Sequence, residues 1–224
     1  MDLREMRQNY INDGYEPLDA SAKVCQDILL AKISKSSLNR NITIKGGVVM
    51  HNISRDSRRA TMDLDFDFIK YSLDDKSIKA FIEKLNYSKT DISIKIVGEI
   101  EELSHQDYNG KRVYILLKDK KGYKIETKLD IGVHKNFDIE QDEYCFDLNN
   151  INENVTLLIN SKEQIFTEKL KSLLKFGFLS TRYKDIFDFS VGGTYYGWNV
   201  KDEAKVLLYL KPEFVLDASA RAKV

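Results

Sequence analysis

Two prolines, two cysteines and a single tryptophan in 224 residues rule out several kinds of protein at once. With only Pro17 and Pro212 there is no proline-rich linker, and no repeat or low-complexity tract takes its place. Cys25 and Cys145 stand far apart without metal-ligand spacing, which excludes a thiolate zinc module and a disulfide-dense scaffold. A single bridge between them is left open; a reduced, intracellular protein is the expectation. No apolar run approaches the length of a bilayer span. The opening MDLREMRQNY has no apolar secretory core, so a soluble, cytoplasmic protein without a membrane partner is expected. Charge of one sign is also missing: the formal net charge is +0 and the pI about 6.8. There is no global basic field to gather nucleic acid, and such a partner would need a local patch.

What is present is an ordinary globular composition, 42% hydrophobic and 31% charged, in a chain long enough to bury a real core. It fits one large domain or two small ones. The most informative stretch is Lys45 to Phe68, KGGVVMHNISRDSRRATMDLDFDF. Met62, Leu64, Phe66 and Phe68 alternate with Asp63, Asp65 and Asp67, the period of a half-buried strand. Residues i and i+2 of a strand share a face, which sets the Asp63 and Asp65 carboxylates side by side. Neighbouring like charges repel, and a divalent cation removes the conflict. Mg²⁺ favours such oxygen ligands, often one or two carboxylates plus substrate phosphates. Upstream, Lys45-Gly46-Gly47 falls between a short β-like run, Ile42 to Ile44, and a helix-compatible Val48-Val49-Met50. Glycines at a helix start let backbone N–H groups approach a phosphate. The polar loop from Asn52 to Thr61 carries Arg55, Arg58 and Arg59, suited to bidentate phosphate contact or simply solvated.

Elsewhere the pattern is helical from about Leu18 to Leu38, with Asp19 or Ser21 as caps, and again from Ser77 to Leu85. Alternation marks strands at Ile92 to Ile96, Val113 to Leu117 and Tyr123 to Val133, the last two joined by a turn at Asp119 to Gly122. In the last strand Glu126, Lys128 and Asp130 share the polar face, and alternation alone does not choose between the two acids. Ser161 and Gln164 form a capping box for a helix ending near Gly177. Lys169 falls within its apolar arc, either snorkelling from the core edge or placed for function. A further helix from about Thr181 pairs Arg182 with Asp185 at i, i+3, and Tyr195 to Trp198 is an aromatic cluster for packing or base stacking.

KGG, then an Arg/Ser-rich turn, then DLDF, then ETKLDIGV (Glu126 to Val133) and EKLKSLLKFGFLSTRYKDIFDF (Glu168 to Phe189) together resemble the AbiEii/AbiGii-type nucleotidyltransferase toxins. These toxins belong to the DNA polymerase β-like nucleotidyltransferase superfamily. The resemblance implies an α+β fold, a mixed sheet flanked by helices, with residues 1–160 as nucleotidyltransferase domain and 161–224 as a helical domain completing the cleft. It implies catalytic roles for Asp63, Asp65, Asp130, Lys169 and Asp185, with Asp63, Asp65 and Asp130 holding Mg²⁺ or Mn²⁺. Lys45, Gly46, Gly47, Arg58, Lys169 and Arg182 would bind the NTP. Implied partners are an RNA or protein acceptor and a cognate antitoxin. A small-molecule acceptor and a non-catalytic nucleotide binder are the alternatives. Two departures stand out: Val48 occupies the place of the usual Ser or Thr, and Asp67 is an additional acid, expected to be exposed.

Overall fold

The computed structural model describes residues 1–54, 61–87, 91–103, 110–134, 141–161, 163–165 and 167–170. The chain divides into two compact units, Met1–Ile159 and Asn160–Val224.

The first unit is a mixed sheet with helices, the α+β architecture expected. Its strands are β1 (Ile42–Lys45), β2 (Leu64–Phe68), β3 (Ser93–Ile96), β4 (Glu101–Leu103), β5 (Gly110–Lys118), β6 (Lys124–Val133), β7 (Asp142–Leu148) and β8 (Glu153–Ile159). They form an 8-stranded sheet in the order β3-β5-β6-β2-β1-β8-β7, with β4 pairing β5. Strand β2 runs antiparallel to β1 and parallel to β6, so the acidic strand is central. Alternation explains one buried face: Ile42, Ile44, Leu64, Phe66, Phe68, Leu129 and Ile131 are all inaccessible to solvent or nearly so. The β5–β6 hairpin closes where Tyr123 donates its backbone N–H to Asp119 Oδ1, and the other oxygen of Asp119 accepts from Leu3 N.

Four helices are described in this unit: α1 (Leu3–Asn12), α2 (Pro17–Ser34), α3 (Gly46–Ser54) and α4 (Asp75–Asn86). Asp2 caps α1 through the N–H groups of Arg4 and Glu5, and Asp74 caps α4 through Ser77 N. The apolar stripe of α4, Ile78, Phe81, Ile82 and Leu85, is buried as its spacing requires.

Several sequence expectations need correction. Helix α2 begins with Pro17 at its first turn and has no side-chain cap, so neither Asp19 nor Ser21 serves; Ser21 Oγ instead donates to Pro17 O. The helix stops at Ser34 rather than Leu38, and Leu18, counted as apolar face, is exposed. Met62 lies outside β2 and is also exposed, so the strand pattern starts one apolar position later. Cys25 is buried and Cys145 exposed, both as free thiols. Helix α1 and strands β4, β7 and β8 were not read from the sequence.

Helix α2 is buried around most of its circumference, including Lys32, whose Nζ donates to Leu85 O at 3.1 Å. Burial is the main cause lowering the Lys32 pKa to about 8, with Lys35 adding a smaller push. Between that value and the ordinary 10.5 the unfolded chain binds a proton that the folded one releases, so stability from this group rises with pH across that window. The difference in melting temperature between wild type and Lys32→Met should therefore move in favour of wild type from pH 7 to pH 10. A pH-independent difference in differential scanning calorimetry would contradict this.

In the second unit the chain is helical at 163–165 and 167–170. Gln164 N donates to Ser161 Oγ at 3.3 Å, the first half of the capping box. The second half is absent, since the Gln164 side chain turns to Glu168 Oε1 at 3.0 Å. Among the described residues no helix is long and apolar enough to cross a membrane.

Candidate functional site

Strand pairing places the acids. Lys45 on β1 is the register partner of Asp65 on β2, Asp65 of Asp130 on β6, and Asp130 of Arg112 on β5. Residues opposite one another across a sheet share a face. A single row across four strands thus reads cation, acid, acid, cation. Asp63 precedes Leu64 on the same alternation and sits beside Lys128, its Oδ1 3.0 Å from the lysine Nζ. Glu126, the competitor of Asp130, is an exposed residue opposite Leu116, away from Asp65. Register therefore brings Asp130, and not Glu126, beside Asp65.

The glycine pair packs against this row. Gly46 opens α3 with φ +69, a left-handed conformation that side chains resist. A Cβ there would overlap Asp65 Oδ2 and come within 3.2 Å of Asp65 Cγ. At Gly47 it would meet Thr61 Oγ1 at 2.6 Å. The two glycines are needed because the acidic strand and the segment leading into it lie directly on them. Val48, where a hydroxyl residue was the norm, is fully buried in the core. Any phosphate contact here falls to backbone N–H groups at the start of α3.

Electrostatics single out Asp65. Its pKa is pushed up to about 6, chiefly by burial; Lys45 opposes the rise, while Asp130, Asp63 and Asp67 add to it. The other two acids are engaged. Asp130 accepts from Arg112 Nε at 2.8 Å and Nη2 at 2.7 Å, one bond to each carboxylate oxygen. That fork holds the Arg112 guanidinium above its ordinary pKa range.

Asp67 differs from expectation: it is buried, with its Oδ1 2.8 Å from Lys45 Nζ. The reason is cross-strand, because Lys45 on β1 reaches past its register partner to the next acid on the same face. Lys45, expected at the nucleotide, is thereby tied to Asp67. Lys169 is a buried residue of the second unit. Arg58, Arg182, Asp185 and the Tyr195 to Trp198 cluster lie outside the described residues.

Asp63, Asp65 and Asp130 supply an oxygen-only donor set, the chemistry of a Mg²⁺ or Mn²⁺ ligand group. Mutual repulsion at Asp65 is the conflict a divalent cation would relieve, and on that ground the residues fit one. As they stand, two of the three acids have cationic partners. Among the described residues no group of three acid, histidine or cysteine side chains is poised around a common ion. Arg112 and Lys128 were not singled out from sequence. Counting outward from Asp119 to Gly122 would set Arg112 opposite Leu129; the observed pairing of Lys118 with Lys124, one residue further on, sets it opposite Asp130.

The central acidic strand, the glycine bend against it and the mixed sheet are those of a nucleotidyltransferase-like fold. A solution structure of the antibiotic-resistance factor ANT(2'')-Ia matches with a TM-score of 0.51 at 15% identity, covering 89% of this chain and 99% of that one. An antigenic nucleotidyltransferase-like protein from Paracoccidioides brasiliensis matches with a TM-score of 0.45 at 19% identity, over 75% of this chain and 73% of that one. No curated protein matches the sequence. The family described as nucleotidyl transferase AbiEii toxin, type IV toxin–antitoxin system, matches residues 27–207, and the chain belongs to that family.

Proposed function

We infer that this chain is a divalent-metal-dependent nucleotidyltransferase that moves a nucleoside monophosphate from an NTP to an RNA or protein acceptor. The observation that carries this reading is the Asp65–Asp130 register pair with Gly46 packed on Asp65. Family membership supports a toxin role checked by a cognate antitoxin.

In this mechanism Asp63, Asp65 and Asp130 would hold Mg²⁺ (or Mn²⁺), which when bound would neutralise charge on the α-phosphoryl group and the leaving pyrophosphate. Gly46, Gly47 and the first turn of α3 offer backbone N–H groups to the β- and γ-phosphates. An acceptor oxygen attacks the α-phosphorus, the bond from that phosphorus to the bridging oxygen breaks, and pyrophosphate leaves. Asp130 either ligates a second metal or takes the proton of the acceptor hydroxyl. The roles that the family resemblance implies for Arg58, Lys169, Arg182 and Asp185, positive charge for the triphosphate and a further acid, belong to this proposal.

The test is incubation of the purified chain with each α-³²P NTP, Mg²⁺ and either total RNA or total protein. Label entering one acceptor class with one preferred NTP is the expected result. Absence of transfer to any acceptor, with wild type and Asp65→Asn alike, would overturn the reading in favour of a non-catalytic binder. Transfer confined to small molecules would replace the macromolecular acceptor.

A further inference from the structure

Arg112 engages both oxygens of Asp130. Its two guanidinium N–H groups take one carboxylate oxygen each, at 2.8 and 2.7 Å, in the parallel fork that makes arginine–carboxylate pairs strong and directional. A cation that ligates Asp130 must share its oxygens with this guanidinium, and the two positive charges repel. The same pattern, weaker, repeats at Asp63 with Lys128. Asp65, between them, has Asp130 and Asp63 as like-charged neighbours. The strand row therefore carries its own positive charge beside the Asp65–Asp130 pair. Among the described residues no third acid, histidine or cysteine completes a group poised around a common ion.

We propose that Arg112 is a resident counter-cation of the acid row. It holds Asp130 while the site is empty, competes with the divalent metal for it, and moves off when metal and NTP bind together. This rests on the metal-dependent reading above. The exchange has a clear physical logic. Stripping Asp130 of Arg112 would leave it facing Asp65, and neighbouring like charges are costly. A doubly charged ion satisfies Asp130 and Asp65 at once, whereas the guanidinium satisfies Asp130 alone. Metal alone thus meets a competitor. Metal arriving with a triphosphate brings anionic oxygens that give the displaced guanidinium a new partner. Arg112 keeps about a quarter of its side-chain surface accessible, 27%, so it has room to leave the fork. Arg112 is in this scheme a positioning residue, setting how readily the metal enters and when Asp130 is free to accept a proton.

The experiment is a Mn²⁺ titration followed by electron paramagnetic resonance without NTP, on wild type, Arg112→Gln and Arg112→Lys. Removing the competitor should tighten Mn²⁺ binding by about tenfold in Arg112→Gln, since one lost charge-assisted contact is of that order. Arg112→Lys keeps the charge but not the fork and should fall between. Thermal melting in EDTA and in Mn²⁺ separates this from a purely structural role: the metal-induced rise should be larger in Arg112→Gln than in wild type. Equal or weaker Mn²⁺ affinity in Arg112→Gln would overturn the exchange while leaving the metal-dependent reading in place. Failure of wild type to bind Mn²⁺ with or without NTP would overturn both.

Discussion

Asp65→Asn should lower nucleotidyl transfer by on the order of 10³-fold or more while the protein stays folded and becomes no less stable. The two halves of this expectation have one cause. Asp65 sits beside Asp130 in register and within the field of Asp63 and Asp67, and its carboxyl is held near a pKa of about 6 by burial first and by those charges after it. An amide of the same shape removes the repulsion and removes the proposed metal ligand. The sign of the pH dependence follows. The folded value lies above the ordinary 3.8, so the folded chain binds the extra proton between the two values. Wild-type stability from this group is fully present below pH 3.8 and declines as pH rises through about 6. Asp65→Asn lacks that decline. Melting curves of the two proteins at pH 5 and pH 8 should diverge toward the variant at the higher pH; parallel behaviour would count against Asp65 as the strained acid.

Gly46→Ala is the second large effect, and it should damage fold and site together. The backbone at Gly46 is left-handed at φ +69, which costs an L-residue roughly 1–2 kcal/mol. The new Cβ would also press on the Asp65 carboxylate, whose Cγ would lie 3.2 Å away. A total near 2 kcal/mol or above lowers the melting temperature by roughly 4–8 °C in a chain of this size. The double variant Gly46→Ala with Asp65→Ala separates the causes, because it relieves the steric part and leaves the backbone part. Calorimetry should recover some of the lost stability in the double variant. If Gly46→Ala melts like wild type, the close approach of the bend to the acidic strand is wrong.

The parts of this architecture legible in the sequence were those written locally. Period-two alternation from Leu64 to Phe68 marked the central strand, and the Asp119 to Gly122 turn marked the hairpin that delivers Asp130. The spacing of Ile78, Phe81, Ile82 and Leu85 gave α4 by the same local logic, while its cap at Asp74 was not read. What sequence did not yield depends on which strands become neighbours. Asp67 looked like a solvent-facing extra because nothing in its own strand indicates that Lys45 arrives from β1 to bury with it. The Arg112–Asp130 fork is a cross-strand pair 18 residues apart, readable only after the hairpin register is fixed. Helix α1 carries a local signal, Leu3, Met6 and Tyr10 at helical spacing behind Asp2, but the stripe is short and set among charged residues, and Asp119, more than a hundred residues later, holds its start. Leu18 illustrates the converse, since an apolar residue in the first turn of α2 is simply exposed.

The most direct test of the account is whether the acid row binds a divalent cation together with nucleotide. Mn²⁺ electron paramagnetic resonance with a non-hydrolysable NTP should show a bound-metal signal in wild type that is lost in Asp65→Asn and strongly reduced in Asp130→Asn. The same signal at the same affinity in all three proteins would mean that these carboxylates do not hold the metal.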